Sequence, residues 1–409
     1  MNVGSDTKVT VLGLGYIGLP TAALLAKSGF LTAGYDVNSL VVNTINDGKI
    51  HIVEEGLEAW VSSGVKTGML RAFNEPQPAD VYIICVPTPF KLASDGCKEP
   101  DLTFIEEAVK SIAFMIKAGD LIILESTSPV GTSEYVFERL RDYSENVHDI
   151  DVAYCPERVL PGNILDEIVS NDRIVGGINP KSTAKAAQFY RNFVTGNVIE
   201  TTSKVAEFCK LAENSFRDTN IAFANEISMI CESMGVDVWE LISLANRHPR
   251  VNILRPGVGV GGHCIAVDPW FIISRASETS RLIRQAREVN DAKPKWVIDQ
   301  IRREISRFSG SPKVVCLGLS FKPDIDDLRE SPALHVVDNL LGEGYDVSVV
   351  EPNVVELENY DNIELDCALD VADIVVILVG HKEFLTDDVR RRFAVKRVLD
   401  FCGVISEFS

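Results

Sequence analysis

The chain has 409 residues, 46% of them hydrophobic and 24% charged, a balance that excludes disorder and a length that implies two or three domains. A formal net charge of −19 excludes a nucleic-acid binder, which needs a basic face, and keeps the protein off anionic membranes. Nine cysteines without a CxxC pair read as reduced thiols. With a polar start at Met1–Lys8 and no apolar run longer than a strand, the expectation is a soluble cytoplasmic protein.

Strand-like and helical stretches alternate from the first residues. Lys8–Leu12 is apolar and β-branched, Leu19–Ser28 is rich in Ala and Leu, and Leu31–Tyr35 leads into Asp36. Val81–Val86 is a buried strand without alternation and Leu121–Glu125 is another strand, with an amphipathic helix at Phe104–Lys117 between them. Val152–Tyr154 and Arg173–Val175 are shorter strands. This rhythm specifies a doubly wound parallel sheet. From about residue 200 the strand signal stops. Ser203–Met234, Val238–Ala245 and Ser280–Phe308 are helical, with Pro294 as a kink or a helix start. Lys313–Gly318, Pro332–Gly344, Val347–Glu351, Ile374–Val379 and Arg397–Asp400 form a second, smaller unit. Its order of strand, loop, helix, strand and acid echoes the N-terminus, without the full glycine set. The expected fold class is α/β: two Rossmann-like parallel-sheet domains joined by a central helical domain. The expected boundaries are 1–200, 201–308 and 309–409.

Gly13-Leu14-Gly15-Tyr16-Ile17-Gly18 lies between the first strand and the first helix. There Gly13 permits a tight turn, Gly15 lets a pyrophosphate approach the backbone, and Gly18 lets the helix pack on the sheet. Asp36 ends the next strand, where a carboxylate accepts from ribose hydroxyls and repels a 2′-phosphate, so NAD is the expected cofactor. Thr88 and Thr127 fall at two further strand ends, where ligands bind in such sheets.

Pro256–Pro269 packs four glycines into six residues, Gly257, Gly259, Gly261 and Gly262, just before Cys264, with Asp268 four residues later. We read those glycines as room for a backbone to wrap a ligand. A thiol there can add to an aldehyde and pass through a thioester to an acid. His263 beside it reads as loop packing, and no His spacing suits a metal, so none is expected. Lys210 and Asn214 share a helical face and together can clamp an oxyanion, although the pattern alone favours a solvated lysine on an amphipathic helix. Cys155–Gly162 carries Glu157, Arg158 and Val159 at a strand end, and Glu157 alone is only a loop acid. Phe321–Pro332 holds Lys322 and Arg329, candidates for phosphate, with Ser331 as helix N-cap.

The ordered set of Gly13–Gly18, Ser126–Thr132, Cys155–Gly162, the Lys210/Asn214 helix, Gly259–Pro269 and Phe321–Ala333 resembles the UDP-glucose/GDP-mannose dehydrogenase family almost from end to end. The form of the segment around Cys264 is most similar to members acting on UDP-N-acetyl-D-mannosamine, then UDP-N-acetylglucosamine. The resemblance implies a four-electron oxidation of a UDP-sugar alcohol through a Cys264 thiohemiacetal and thioester. It gives Lys210 and Asn214 the oxyanion and the water, Asp268 the orientation of Lys210 or a proton transfer, and Thr127 and Glu157 the water or the nicotinamide side. Where some members carry a second acid, Pro161 stands here, which throws more of the water activation on Glu157. It further implies that Arg250 reaches a partner's sugar site, that Phe321, Lys322, Arg158, Val159, Gly257 and Gly261 meet substrate, and that Arg329 lies near the cofactor with Tyr16 and Ile17. A homodimer or higher oligomer follows from it. The competing readings are a two-electron β-hydroxyacid dehydrogenase, which needs no thiol, and a non-catalytic NAD sensor.

Overall fold

A computed structural model describes residues 7–92, 98–144, 149–159, 162–262, 264–354, 357 and 359–406. The chain divides into two compact units: residues 1–213 with 270–275, and residues 214–269 with 276–409.

The first unit is built on an eight-stranded sheet. From one edge its strands are Val198–Thr202, Arg173–Gly177, Asp151–Tyr154, Leu121–Leu124, Val81–Ile84, Lys8–Leu12, Leu31–Tyr35 and Leu70–Phe73. The central strands Val81–Ile84 and Leu121–Leu124 are buried at every position because both faces are covered. Val9, Val11, Ile83 and Ile123 face one buried cluster; Leu12, Tyr82, Ile84 and Ile122 face the other. Helices Gly18–Lys27, Leu57–Thr67 and Pro180–Tyr190 supply the first cluster, and Thr103–Ile112 and Thr132–Tyr143 the second. The sheet is not wholly parallel, as the sequence suggested. Arg173–Gly177 runs antiparallel to Asp151–Tyr154, and Val198–Thr202 then pairs parallel with it. The reversal goes with the connection: among the described residues of 155–172 the one helix is the short Ile164–Ser170, where a parallel return needs a crossover of a dozen or more residues.

Helix Ser203–Met234 begins in the first unit and continues into the second. The second unit adds Val238–Ala245 and Arg281–Ile305, followed by a four-stranded parallel sheet in the order Val347–Val350, Val314–Leu317, Ile374–Ile377, Arg397–Asp400. Arg281–Ile305 passes through Pro294 unbroken, so that residue is neither a start nor a stop. Its Val297, Ile298 and Ile301 pack with Val336, Val337 and Leu340 on one face of the small sheet. Ser331 caps the helix at Pro332–Gly342 as expected, accepting from Leu334 N and donating to Leu319 O at 2.6 Å. Among the described residues no helix is long and apolar enough to cross a membrane.

Candidate active site

In the first unit the glycine turn meets the geometric demands of a dinucleotide cradle. Gly13 has φ +87°, and a Cβ on Gly18 would fall 1.8 Å from Gly13 O, so both positions exclude a side chain. Nothing lies within 4 Å of a Cβ built on Gly15, which leaves the backbone open to a ligand. Asp36 Oδ2 accepts from Leu14 N at 3.0 Å and Oδ1 from Asn38 N at 2.9 Å. That leaves further lone pairs for ribose hydroxyls. These residues fit NAD. Replacing Asp36 by alanine should raise the dissociation constant for NAD about a hundredfold, two charge-assisted hydrogen bonds being lost. Calorimetry should also show NADP gaining relative to NAD.

Thr88 and Thr127 come together: Thr88 Oγ1 donates to Thr127 O at 2.6 Å, and Ser126 Oγ donates to Val86 O. Glu157 is buried, not open to water. Its Oε2 meets Arg173 Nη1 at 2.5 Å, both side chains being almost fully buried, and Oε1 accepts from Arg158 N. Arg158 is itself held by Glu213 at 2.8 Å, and Val159 packs on the core. The loop is pinned from the other side by Glu54, which accepts from Gly162 N and Ile164 N at 2.9 and 2.8 Å. Beside Arg173 lies a second buried acid, Glu125. It accepts from Tyr190 Oη at 2.5 Å and from Cys85 Sγ, and burial raises its pKa. Sequence reasoning missed Arg173, Glu54 and Glu125. The one signal for Glu125 was a charge closing a wholly apolar strand. Lys210 is half-buried on the long helix.

In the second unit Asn214 Nδ2 donates to Asp268 Oδ2 at 2.5 Å. Cys264 is exposed, and its carbonyl accepts from Val267 N and Asp268 N, closing the turn that presents Asp268 at a helix start. Leu160, Pro161 and His263 lie outside the described residues. The reading of the glycines needs correction. A Cβ on Gly261 would fall 2.5 Å from Glu330 O and 2.8 Å from Phe321 Cβ, and one on Gly262 would fall 2.9 Å from the Phe321 ring. One on Gly259 would press on Pro332 and Pro294. Three of the four are there for packing after all, and only Gly257 is open. Gly257 N donates to Asn225 Oδ1, and Asn225 bonds Asn290, which bonds Asp218, the buried partner of Arg287 at 2.6 Å.

Lys293 lies next in this polar row, its Nζ 2.6 Å from Ser228 Oγ and 3.9 Å from the Trp296 ring centre. Burial lowers its pKa to about 7. The unfolded chain takes up this proton below its ordinary pKa near 10.5, the folded chain only near 7. Stability should therefore rise with pH across that window. Lys293→Met should remove a component of the order of 4 kcal/mol from the rise, read by urea unfolding at several pH values.

A cleft of about 340 Å³ is lined by Arg255, Gly257, Val258, Phe321, Gly380 and Gly403, among others. Arg255 Nη2 donates to Cys402 O at 3.2 Å, and its guanidinium lies over Trp239. Lys322 is exposed on the adjoining loop, and Arg250 is exposed after Val238–Ala245. Arg329 is turned onto Asp327 at 2.6 Å; what it offers the glycine loop is its carbonyl, which accepts from Gly262 N. Asp324, His381 and Glu383 could in principle group round a metal ion, but His381 Nδ1 already faces two N–H donors, Asp324 N and Asn353 Nδ2, at 3.0 Å each.

A glycine turn opening a helix, with an acid ending the neighbouring parallel strand, defines a dinucleotide-binding fold of the Rossmann type. The chain belongs to the UDP-glucose/GDP-mannose dehydrogenase family. It matches that family's NAD binding domain over residues 7–194, its central domain over 204–292 and its UDP binding domain over 315–407. NAD is thus its cofactor. It is 53% identical over 395 residues to a UDP-N-acetyl-D-mannosamine dehydrogenase of Campylobacter jejuni, covering 92% of this chain and 96% of that one. It is 52% identical over 397 residues to an NDP-N-acetyl-D-galactosaminuronic acid dehydrogenase of Ralstonia nicotianae, covering 94% and 93%. The structure of the UDP-D-ManNAc dehydrogenase of Pyrococcus horikoshii is similar at TM-score 0.89 and 37% identity, over 98% of this chain and 96% of that one.

Proposed function

We propose that the protein oxidises the primary alcohol of a UDP-N-acetylhexosamine, UDP-N-acetyl-D-mannosamine before its epimers, to the uronic acid. The balance is one alcohol, one water and two NAD to one carboxylate, two NADH and three protons. The observation that carries the reading is the exposed Cys264 on a turn whose end, Asp268, is bonded to Asn214. Gly13–Gly18 and Asp36 would hold NAD, which would supply the hydride acceptor for the alcohol and for the thiohemiacetal oxidation. Cys264 thiolate adds to the aldehyde carbon. Lys210 and Asn214 donate to the resulting oxyanion, and Asp268 fixes the Asn214 amide so that its other N–H is aimed. Thr127 binds on the nicotinamide side. Water attacks the thioester carbonyl and the thiol leaves. Because Glu157 is committed to Arg173, we assign water activation to Asp268 with Lys210, and to Glu157 the shape of the loop that carries Arg158 and Val159 to substrate. Arg255, Lys322, Phe321 and Gly257 take the UDP, Arg250 completes a partner's sugar site, and Arg329 lies by the cofactor.

We also propose the division at 1–200, 201–308 and 309–409, a cytoplasmic location and a homodimer. Supporting the dimer, Phe216, Phe223 and Ile230 stand exposed at seven-residue spacing on the long helix. NADH yield against UDP-N-acetylmannosamine, UDP-N-acetylglucosamine, UDP-N-acetylgalactosamine and UDP-glucose tests the proposal. Two NADH per acetamido sugar is the expected result. One NADH per substrate would return the two-electron reading, and none with NAD binding intact would return the NAD sensor.

A further inference from the structure

The parallel pairs Lys8–Leu12 with Leu31–Tyr35 and Val314–Leu317 with Val347–Val350 share one hydrogen-bond skeleton at their carboxyl ends. Gly13 N donates to Tyr35 O at 2.8 Å, and Gly318 N donates to Val350 O at 2.8 Å, with φ +87° and +84° at the two glycines. Asp36 bonds Leu14 N and Asn38 N; Glu351 bonds Leu319 N at 2.7 Å and Asn353 N at 2.9 Å. The small sheet therefore keeps the frame of a dinucleotide turn: strand, glycine, acid and the N–H two residues beyond the acid.

It does not keep the opening. Where Gly15 leaves bare backbone, Ser320 stands, and its N–H also goes to Glu351 Oε2, at 3.0 Å. His381, at the end of the third strand, brings Nε2 within 3.1 Å of the same oxygen, and both side chains are wholly buried. Oε2 thus receives Leu319, Ser320 and His381, and Oε1 receives Asn353. Oε2 is saturated, and the side chain is wholly buried, so Glu351 offers no site open to a ribose hydroxyl. Burial by itself would raise the Glu351 pKa, but the His381 and backbone donors outweigh it and hold the carboxyl ionised.

The other face of His381 explains what replaced the nucleotide. Its Nδ1 accepts from Asp324 N at 3.0 Å. Asp324 has φ +61°, a left-handed backbone that a residue with a Cβ keeps only when its surroundings hold it. Lys382 N closes the hold by donating to Asp324 Oδ1 at 3.0 Å. Between the two fixed points, Leu319–Ser320 at Glu351 and Asp324 at His381, lies Phe321. It lines the cleft and fills the space beside Gly261 and Gly262, two residues before Cys264.

We propose that His381 is a positioning residue for the UDP cleft: as a neutral imidazole, Nε2–H on Glu351 and Nδ1 receiving Asp324 N–H, it closes the second dinucleotide turn and holds residues 319–324 in the binding conformation. This rests on the reading of that cleft as the UDP site.

The test uses two substitutions that each keep one ring nitrogen's function. An asparagine amide reaches as far as Nδ1 and keeps an acceptor for Asp324 N–H. A glutamine amide reaches as far as Nε2 and keeps only the donor to Glu351. UDP and NAD are titrated separately into the full-length protein by calorimetry, and KM and kcat are measured for the sugar nucleotide. His381→Gln should weaken UDP about tenfold, the worth of one lost loop hydrogen bond, and raise KM with little change in kcat, while His381→Asn stays within about threefold of the parent. NAD affinity should be unchanged in both, with one NAD per chain in the parent. Equal losses in the two variants, a parallel loss of NAD affinity, or a second NAD per chain would overturn the proposal. Phe321→Ala separates the two readings. If it leaves UDP binding intact, the cleft reading fails. If it weakens UDP while His381→Gln does not, the positioning role fails alone.

Discussion

Cys264→Ala enzyme should form no uronic acid from any UDP-sugar, with turnover at least about a thousandfold below the parent, because water without the thiol has no covalent route to the acid. NAD and UDP affinities should be preserved, since Cys264 is exposed and belongs neither to the glycine turn nor to the cleft wall. A rapid-mixing experiment gives the sharper form. The parent releases two NADH per sugar, the variant at most one, with aldehyde trapped by hydroxylamine. Full turnover by the variant would remove the thioester from the mechanism.

The second large effect is on stability. Arg173→Met should destabilise the protein by about 3–5 kcal/mol, because it strands the Glu157 carboxylate in a site closed to water. Glu125, the neighbouring buried acid, would lose the same cation. The double substitution Arg173→Met with Glu157→Gln should recover most of the loss, as removal of a whole buried pair usually does. Urea unfolding of the four proteins in a cycle measures both. If the single substitution cost less than about 1 kcal/mol, the pair would have to be solvated and Glu157 would return as a candidate base.

What could be read in advance divides by range. The inner strands were legible because a sheet covered on both faces writes unbroken apolar runs, as at Val81–Ile84 and Ile374–Ile377. Helix Ser203–Met234 was legible from its length and period. Helices Leu57–Thr67 and Pro180–Tyr190 were passed over, although their punctuation was present: left-handed Gly56 and Gly68 at the ends of one, and Asn179 as N-cap before Pro180 in the other. The antiparallel strand left no mark, because Arg173–Gly177 is buried on both faces and so lacks the apolar–polar alternation that would set it apart from a parallel strand.

At the site, residue types were readable and partners were not. Asn214 and Asp268 stood out singly; their bond spans 54 positions. Glu54 holds a loop 108 residues away, and no local pattern announces it. The glycine loop shows the opposite failure. Its composition was conspicuous, but the reason was the Phe321 ring and the Glu330 carbonyl, which no pattern local to residues 257–262 announces.

The distribution of thiols has a practical consequence. Among the eight described cysteines only Cys264 and Cys367 are exposed, while burial pushes Cys155 and Cys316 up to about 12 and Cys85 well above its ordinary value. Protonated, inaccessible sulfur does not alkylate. In a Cys367→Ser background a mild haloacetamide should therefore find Cys264 ahead of the other described thiols, and bound UDP-sugar should slow it. The catalytic centre then becomes its own titrant: the label incorporated counts working sites, and the same geometry marks Cys264 as the place to anchor a covalent inhibitor.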